Sequence, residues 1–227
     1  NDNASTPTAY VRFDKDSWTQ SANAGVDYTW QLSEGRSKGV NPTVLRPQRH
    51  FDIITYTGSD TSSARTVTGL EFAPDLVWQK RRNGTNWHTW HDTVRGATKT
   101  LYSNDTSAEA TNNQYGYISA FGTNGFTWSP GSTNNSDGNE SSGTFVSWCW
   151  KAGGATTVAN TDGSITSAVS VNKEAGFSIV TYTGTNGNGT FGHGLGKAPK
   201  WVVIRRRDNA SNWAVYHESI GNTKRLL

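Results

Sequence analysis

The sequence predicts an all-β protein of tandem antiparallel β-sandwich repeats, jelly-roll or lectin-like in type, the second one truncated. Three observations lead there. Hydrophobic residues are only 33% and charged residues 17%, the difference being filled by Gly, Ser, Thr and Asn. Ten Trp, eight Tyr and eight Phe stand in for the sparse aliphatics, and each aromatic ring can bury roughly 150–250 Å². Finally, the run FDIITYTG, Phe51 to Gly58, returns as FSIVTYTG, Phe177 to Gly184, with six of eight positions identical. Turn-formers plus aromatic and β-branched residues favour short strands.

The echo continues past that strand. Gly69-Leu70 and Ala73-Pro74 reappear as Gly194-Leu195 and Ala198-Pro199, and Val77, Arg81 and Arg82 as Val202, Arg206 and Arg207. Asn86-Trp87 and His91 match Asn212-Trp213 and His217, always 125 or 126 residues on. Solenoid repeats run at roughly 20–50 residues, so two copies of a whole domain fit better. The expected division is an N-terminal arm or tail of a preceding domain (1–50), a first sandwich (51–152), a linker or strand (153–176) and the leading half of a second repeat (177–227). Phe51–Thr57 and Phe177–Thr183 should then be equivalent strands in superimposable sheets.

In the first segment, Thr8–Phe13 and Tyr28–Leu32 read as short strands, and Pro42 and Pro47 as an extended connection. Phe51–Thr57 carries apolar groups on both faces and predicts a strand covered on each side. Thr66–Leu70 follows, then Asp75–Arg81, the Asn83-Gly84 hairpin signal and Trp87–His91. Gly116–Phe121, Gly125–Trp128 and Gly143–Trp150 complete the first repeat. Ser103–Thr111 is the one helix candidate, with Ser103 or Asn104 as its cap. Ile165–Val171 alternates enough for a strand. Ile53, Tyr56, Val77, Val146, Trp148 and Cys149 are expected in the core, with Val180, Tyr182 and Val202 as counterparts. A lone half-sandwich at 177–227 would leave Val180, Trp201 and Val203 facing water, so another chain or further polypeptide is expected to cover it.

Several function classes recede. A formal charge of +3 with no groove-reading helix points away from nucleic acid, and no 18-residue apolar run predicts a membrane helix. Cys149, the single cysteine, lies in GTFVSWCW and reads as a small buried hydrophobe. His88 and His91 face opposite sides of a strand and cannot share a metal. His91 and His217 recur, each followed by an acid, and read as loop-bonded histidines. Scattered acids, with no phosphate loop or nucleophile elbow, argue against an enzyme. No catalytic residue, metal or cofactor is expected. Lys80-Arg81-Arg82 and Arg205-Arg206-Arg207 are either solvated strand ends, one Arg stacked on a Trp, or a repeated basic patch for phosphate or sulfate on a surface polymer.

The GL…AP loop, the strand with Leu76-Val77-Trp78, HDTVRGATKTLYSN (His91–Asn104) and TFVSWCWKAG (Thr144–Gly153) together resemble one family. It is an uncharacterised β-rich repeat domain of structural and tail-fibre proteins from phages of marine bacteria, including cyanophages. The resemblance covers about 51–153 well and 177–227 as a leading half, and carries over no functional residue. It implies an extracellular virion protein, a tail fibre or other appendage, self-assembling or joined to other virion proteins and contacting a host. Trp87, Trp90 and Trp213 would stack on host polysaccharide, with Arg81, Arg82, Arg206 and Arg207 holding anionic groups. The rival is a secreted carbohydrate-binding module or accessory domain of a carbohydrate-active enzyme.

Overall fold

The computed structural model describes residues 12–13, 18–19, 44, 46–59 and 62–224. The chain divides into two compact units, 1–43 and 44–227. In the first, β1 (Arg12–Phe13) pairs antiparallel with β2 (Trp18–Thr19). The strand expected at Tyr28–Leu32 and the start of that at Thr8–Phe13 lie outside the described residues.

The second unit is β throughout, apart from short 3-10 turns at Pro47–Arg49 and Glu218–Ile220. Its strands are β3 (Phe51–Thr57), β4 (Arg65–Thr68), β5 (Leu76–Arg81), β6 (Thr89–Asp92), β7 (Lys99–Tyr102), β8 (Ala110–Thr111), β9 (Tyr117–Gly122), β10 (Gly125–Ser129), β11 (Thr144–Trp150), β12 (Val158–Asn160), β13 (Ser167–Asn172), β14 (Phe177–Tyr182), β15 (Trp201–Ile204) and β16 (Ala214–His217). A six-stranded antiparallel sheet in the order β3-β11-β5-β6-β7-β8 faces a three-stranded sheet, β4-β10-β9. Their inner faces supply one core: Val67, Phe126, Trp128 and Ile118 from the small sheet, Val77 and Cys149 from the large one, with Leu70 and Phe72. Burial follows the pleat. In β11, Phe145, Ser147 and Cys149 are buried, whereas Val146, Trp148 and Trp150 point outward and are half-buried. Burial pushes the Cys149 thiol up to about 12, with Asp52 adding to it, so it stays a neutral core group at physiological pH.

The outer face of the large sheet carries a cross-strand row, Ile53–Trp148–Trp78–Trp90. This corrects two expectations. β3 is an edge strand covered on one face only, so Ile53 is 48% exposed. Trp148 and Val146 lie half-buried on the outside, because an alternating strand sends only every second residue to the core. Val77 and Cys149 are fully buried as expected, and Tyr56 is half-buried.

The helix expected at Ser103–Thr111 does not form; the segment opens in a turn at Ser103 and Asn104 and runs irregularly into β8. Its backbone is used elsewhere. The carbonyls of Thr106 and Ser107 accept from Ser211 N–H and Arg205, and Glu109 N–H donates to the Arg207 carbonyl at 2.8 Å. Asp105 also accepts from the Ser107 backbone N–H and hydroxyl, a local turn that competes with helix.

Beyond β11, a meander β12-β13-β14 and a hairpin β15-β16 complete the unit. The echoing strands β3 and β14 both lie at sheet edges, but β3 pairs with β11 and β14 with β13. The echo therefore extends to strand and hairpin, not to sheet partners. Val180 and Val202 are half-buried and Tyr182 is 38% exposed, not core. Trp201 is 59% exposed, as expected of an outward residue, whereas Val203 is half-buried.

Candidate functional site

The candidate residues gather around two hairpin loops, β5–β6 and β15–β16. In the first, Lys80 closes the loop by donating to the carbonyls of Gly84 and Asn86 at 2.8 and 2.9 Å. The Asn86 amide donates to Asp137 Oδ1 at 3.2 Å. His88 N–H donates to Asn104 Oδ1 at 2.8 Å. Trp87, between them, is 43% exposed and lies against Tyr102 and Tyr115, with ring centroids 4.7 and 5.9 Å away. A stretch without ladder hydrogen bonds is thus fixed from several sides and presents an indole ring to solvent.

Asp137 underlies this arrangement. It is 4% exposed, and its second oxygen accepts from the Tyr102 hydroxyl at 3.4 Å. Burial pushes its carboxyl up to about 6, opposed by the bonds from Asn86 and Tyr102 and by the charges of Lys80 and Arg81. Asn113 donates to the Tyr102 hydroxyl at 2.6 Å, and Gln79 to the Asp137 carbonyl at 2.8 Å. The loop holding Asp137 also buries Asn135 and Asn139. A side chain at Gly138 would collide with the Trp128 ring, so glycine is required for the loop to lie on the core.

The second hairpin turns its equivalents inward. Trp213 lies 5.4 Å from Trp90, donates its indole N–H to the Tyr102 carbonyl at 2.8 Å, and has the Arg205 guanidinium 5.4 Å from its ring centre. Arg207 makes a two-pronged pair with Glu109, both bonds 2.9 Å. Glu109 also takes Arg95 at 3.0 Å, and Arg95 pairs with Asp92. Burial works against the Glu109 charge, but Arg207 and Arg95 outweigh it and hold the carboxyl below its ordinary range. Tyr102 joins the two hairpins: its ring backs Trp87, its hydroxyl meets Asp137 and its carbonyl receives Trp213.

The seven candidates therefore form no single surface. Trp87 is displayed, while Trp90 and Trp213 cover each other on the outer face. Arg81 is paired with Glu140, Arg206 with Asp208 at 2.6 Å and Arg207 with Glu109. Arg82 is exposed and makes no ion pair among the described residues. The recurring histidines also part company: His91 is fully buried and His217 exposed. Three residues separate Arg82 from Asn86 but four separate Arg207 from Asn212. In the first hairpin Val77 faces His91; in the second Val202 faces Tyr216, so His217 moves to the face of Trp201. A one-residue slip exchanges faces. No group of three or more acidic, His or Cys side chains able to hold a metal occurs among the described residues. Tyr102, Tyr115, Asn104 and Asp137 escape sequence reading, because lone polar residues in Asn/Ser-rich loops carry no periodic signal.

A family model described as Domain of unknown function (DUF7483) matches residues 46–227. No curated protein and no solved structure matches the chain.

Proposed function

The chain belongs to the DUF7483 family, and we propose that this member is a non-enzymatic structural component of a phage virion, a tail fibre or other appendage that meets the host surface through glycans. The virion assignment rests on the resemblance of HDTVRGATKTLYSN and TFVSWCWKAG to repeats of phage appendage proteins. The observation that carries the contact role is Trp87, 43% exposed on a loop held by Lys80, Asn104 and Asp137. A rigid, amphipathic ring offers contact area at little entropic cost. The buried Asp137 spends both oxygens on structural bonds, consistent with a binding rather than a catalytic part. Antibody against the chain, applied to particles purified from its native source and viewed by electron microscopy, is expected to label an appendage. Unlabelled particles, with the chain recovered as a secreted protein, would overturn the virion assignment in favour of a carbohydrate-binding module.

A further inference from the structure

We infer that the Trp87 site takes an uncharged sugar, not the anionic glycan that the Arg-rich strand ends suggest. This deepens the glycan clause of the proposed function and rests on it. Most charges of the two basic clusters have partners within the chain, although the Arg206–Asp208 pair is solvent-exposed and Arg205 meets a carbonyl and the Trp213 ring rather than an acid. Arg81 lies against Glu140, Arg206 against its neighbour Asp208, and Arg207 against Glu109 on the segment where the second hairpin docks. Lys80 points its ammonium at two loop carbonyls rather than at solvent. Only Arg82 in the first cluster is left without such a partner among the described residues.

The rings recorded against Trp87 itself are the uncharged Tyr102 and Tyr115, and the nearby Lys80 is turned onto the carbonyls of Gly84 and Asn86. Tyr115 lies 5.9 Å away, and its hydroxyl bonds no other described residue. Asn104 spends its oxygen on His88 N–H, so its amide N–H groups remain to donate. Burial lowers the His88 pKa and the Lys80 charge adds to the effect, disfavouring a charged imidazole. Asp137 is shut away beneath Asn86 and Tyr102. An exposed flat ring beside a phenol, with the Asn104 amide on the adjoining His88 backbone, matches a sugar's apolar face and its hydroxyls. Sulfate or carboxylate would be desolvated there against cations already engaged, Lys80 by loop carbonyls and Arg81 by Glu140.

The test uses the 227-residue chain and immobilised polysaccharides in matched pairs: neutral dextran, mannan and laminarin against dextran sulfate and alginate, at low and high salt. Retention is expected on a neutral member, changed less than about twofold by salt, since no exposed ion pair is involved. Trp87→Ala should weaken it by about tenfold or more, the scale of one lost aromatic contact, with Asn104→Ala as a second variant. Arg82→Ala should leave it unchanged, and circular dichroism checks that each variant is folded. Retention on the sulfated or carboxylated members alone, falling with salt and with Arg82→Ala, overturns the neutral-sugar assignment and leaves a glycan-binding appendage standing. No retention by the folded chain on any polysaccharide overturns both this inference and the glycan clause, while particle labelling decides the virion assignment separately.

Discussion

At the scale of single residues, the interior holds polar groups that make folding sensitive to acid. His91 is fully buried against the edge of Trp128, ring centres 5.5 Å apart, and neither ring nitrogen closes a good hydrogen bond. Burial lowers its pKa to about 3, with the Arg95 charge adding to the effect. The folded protein thus keeps His91 neutral where the unfolded chain, near pKa 6.5, takes up a proton. Its contribution to stability is present above about pH 6.5 and is lost as pH falls toward 3, by up to roughly 5 kcal/mol. His91→Leu should flatten the decline in unfolding free energy between pH 6.5 and 4 measured in urea; an unchanged slope would show that the imidazole is not what titrates. Asp137 acts with the opposite sign. Its raised pKa makes its contribution greatest below about pH 4 and lost as pH rises through about 6. Neither role is legible in the sequence, where His91 reads as a loop-bonded histidine and Asp137 as one acid in a polar loop. Burial of such groups is decided by strands and loops distant in the chain.

At the scale of elements, strands with a clean period of two were legible and their neighbours were not. β11 alternates Phe145, Ser147 and Cys149 against Val146, Trp148 and Trp150; its span follows from that pattern, but the inner face does not, since Val146 and Trp148 are expected in the core alongside Cys149. β7 was missed because four residues beside a turn carry little periodicity, and 103–111 read as helix because its own propensity was the only signal there. Its bonds to the second hairpin overrode that propensity. Glu109 is the centre of this docking, holding Arg207 and the nearly buried Arg95 together. Glu109→Gln should cost about 1–3 kcal/mol, the range for a hydrogen-bonded charge with buried partners, since Arg95 keeps Asp92. The loss should be local. Amide exchange in β15 and β16 should accelerate while β3 and β11 stay protected; slow exchange throughout would mean that the docking does not hold the hairpin.

For the whole molecule, burial is unevenly distributed, and stability should follow it. The sandwich contains fully buried residues in β5, β6, β7, β9, β10 and β11, with Trp128 and Phe126 at its centre. In the later part, β13 buries Ser167, Val169 and Ser170, but β14, β15 and β16 bury no residue fully. The expectation of uncovered apolar residues on the 177–227 strands is met at Trp201, 59% exposed, but not at Val180 or Val203, both half-buried. It missed the partial cover that the β15–β16 loop finds on Tyr102, Trp90 and Glu109, because contacts between distant loops leave no periodic trace. Apolar area removed from water stabilises by about 25 cal/mol per Å², so the sandwich should hold longest and the later strands open first, as a separate sub-global step. Two substitutions distinguish this from uniform cooperativity. Trp128→Ala, in the sandwich core, should cost about 3–5 kcal/mol and lower protection everywhere, because its loss undermines the platform on which the later strands rest. Trp201→Ala, at a position 59% exposed, should cost well under about 1 kcal/mol and leave the sandwich untouched. Native-state hydrogen exchange in rising denaturant would read both: β14 to β16 should merge with the global transition only near its midpoint. Merging at the lowest denaturant would show one cooperative unit, with the docking at Glu109 and Trp90 strong enough to bind the later strands to the core.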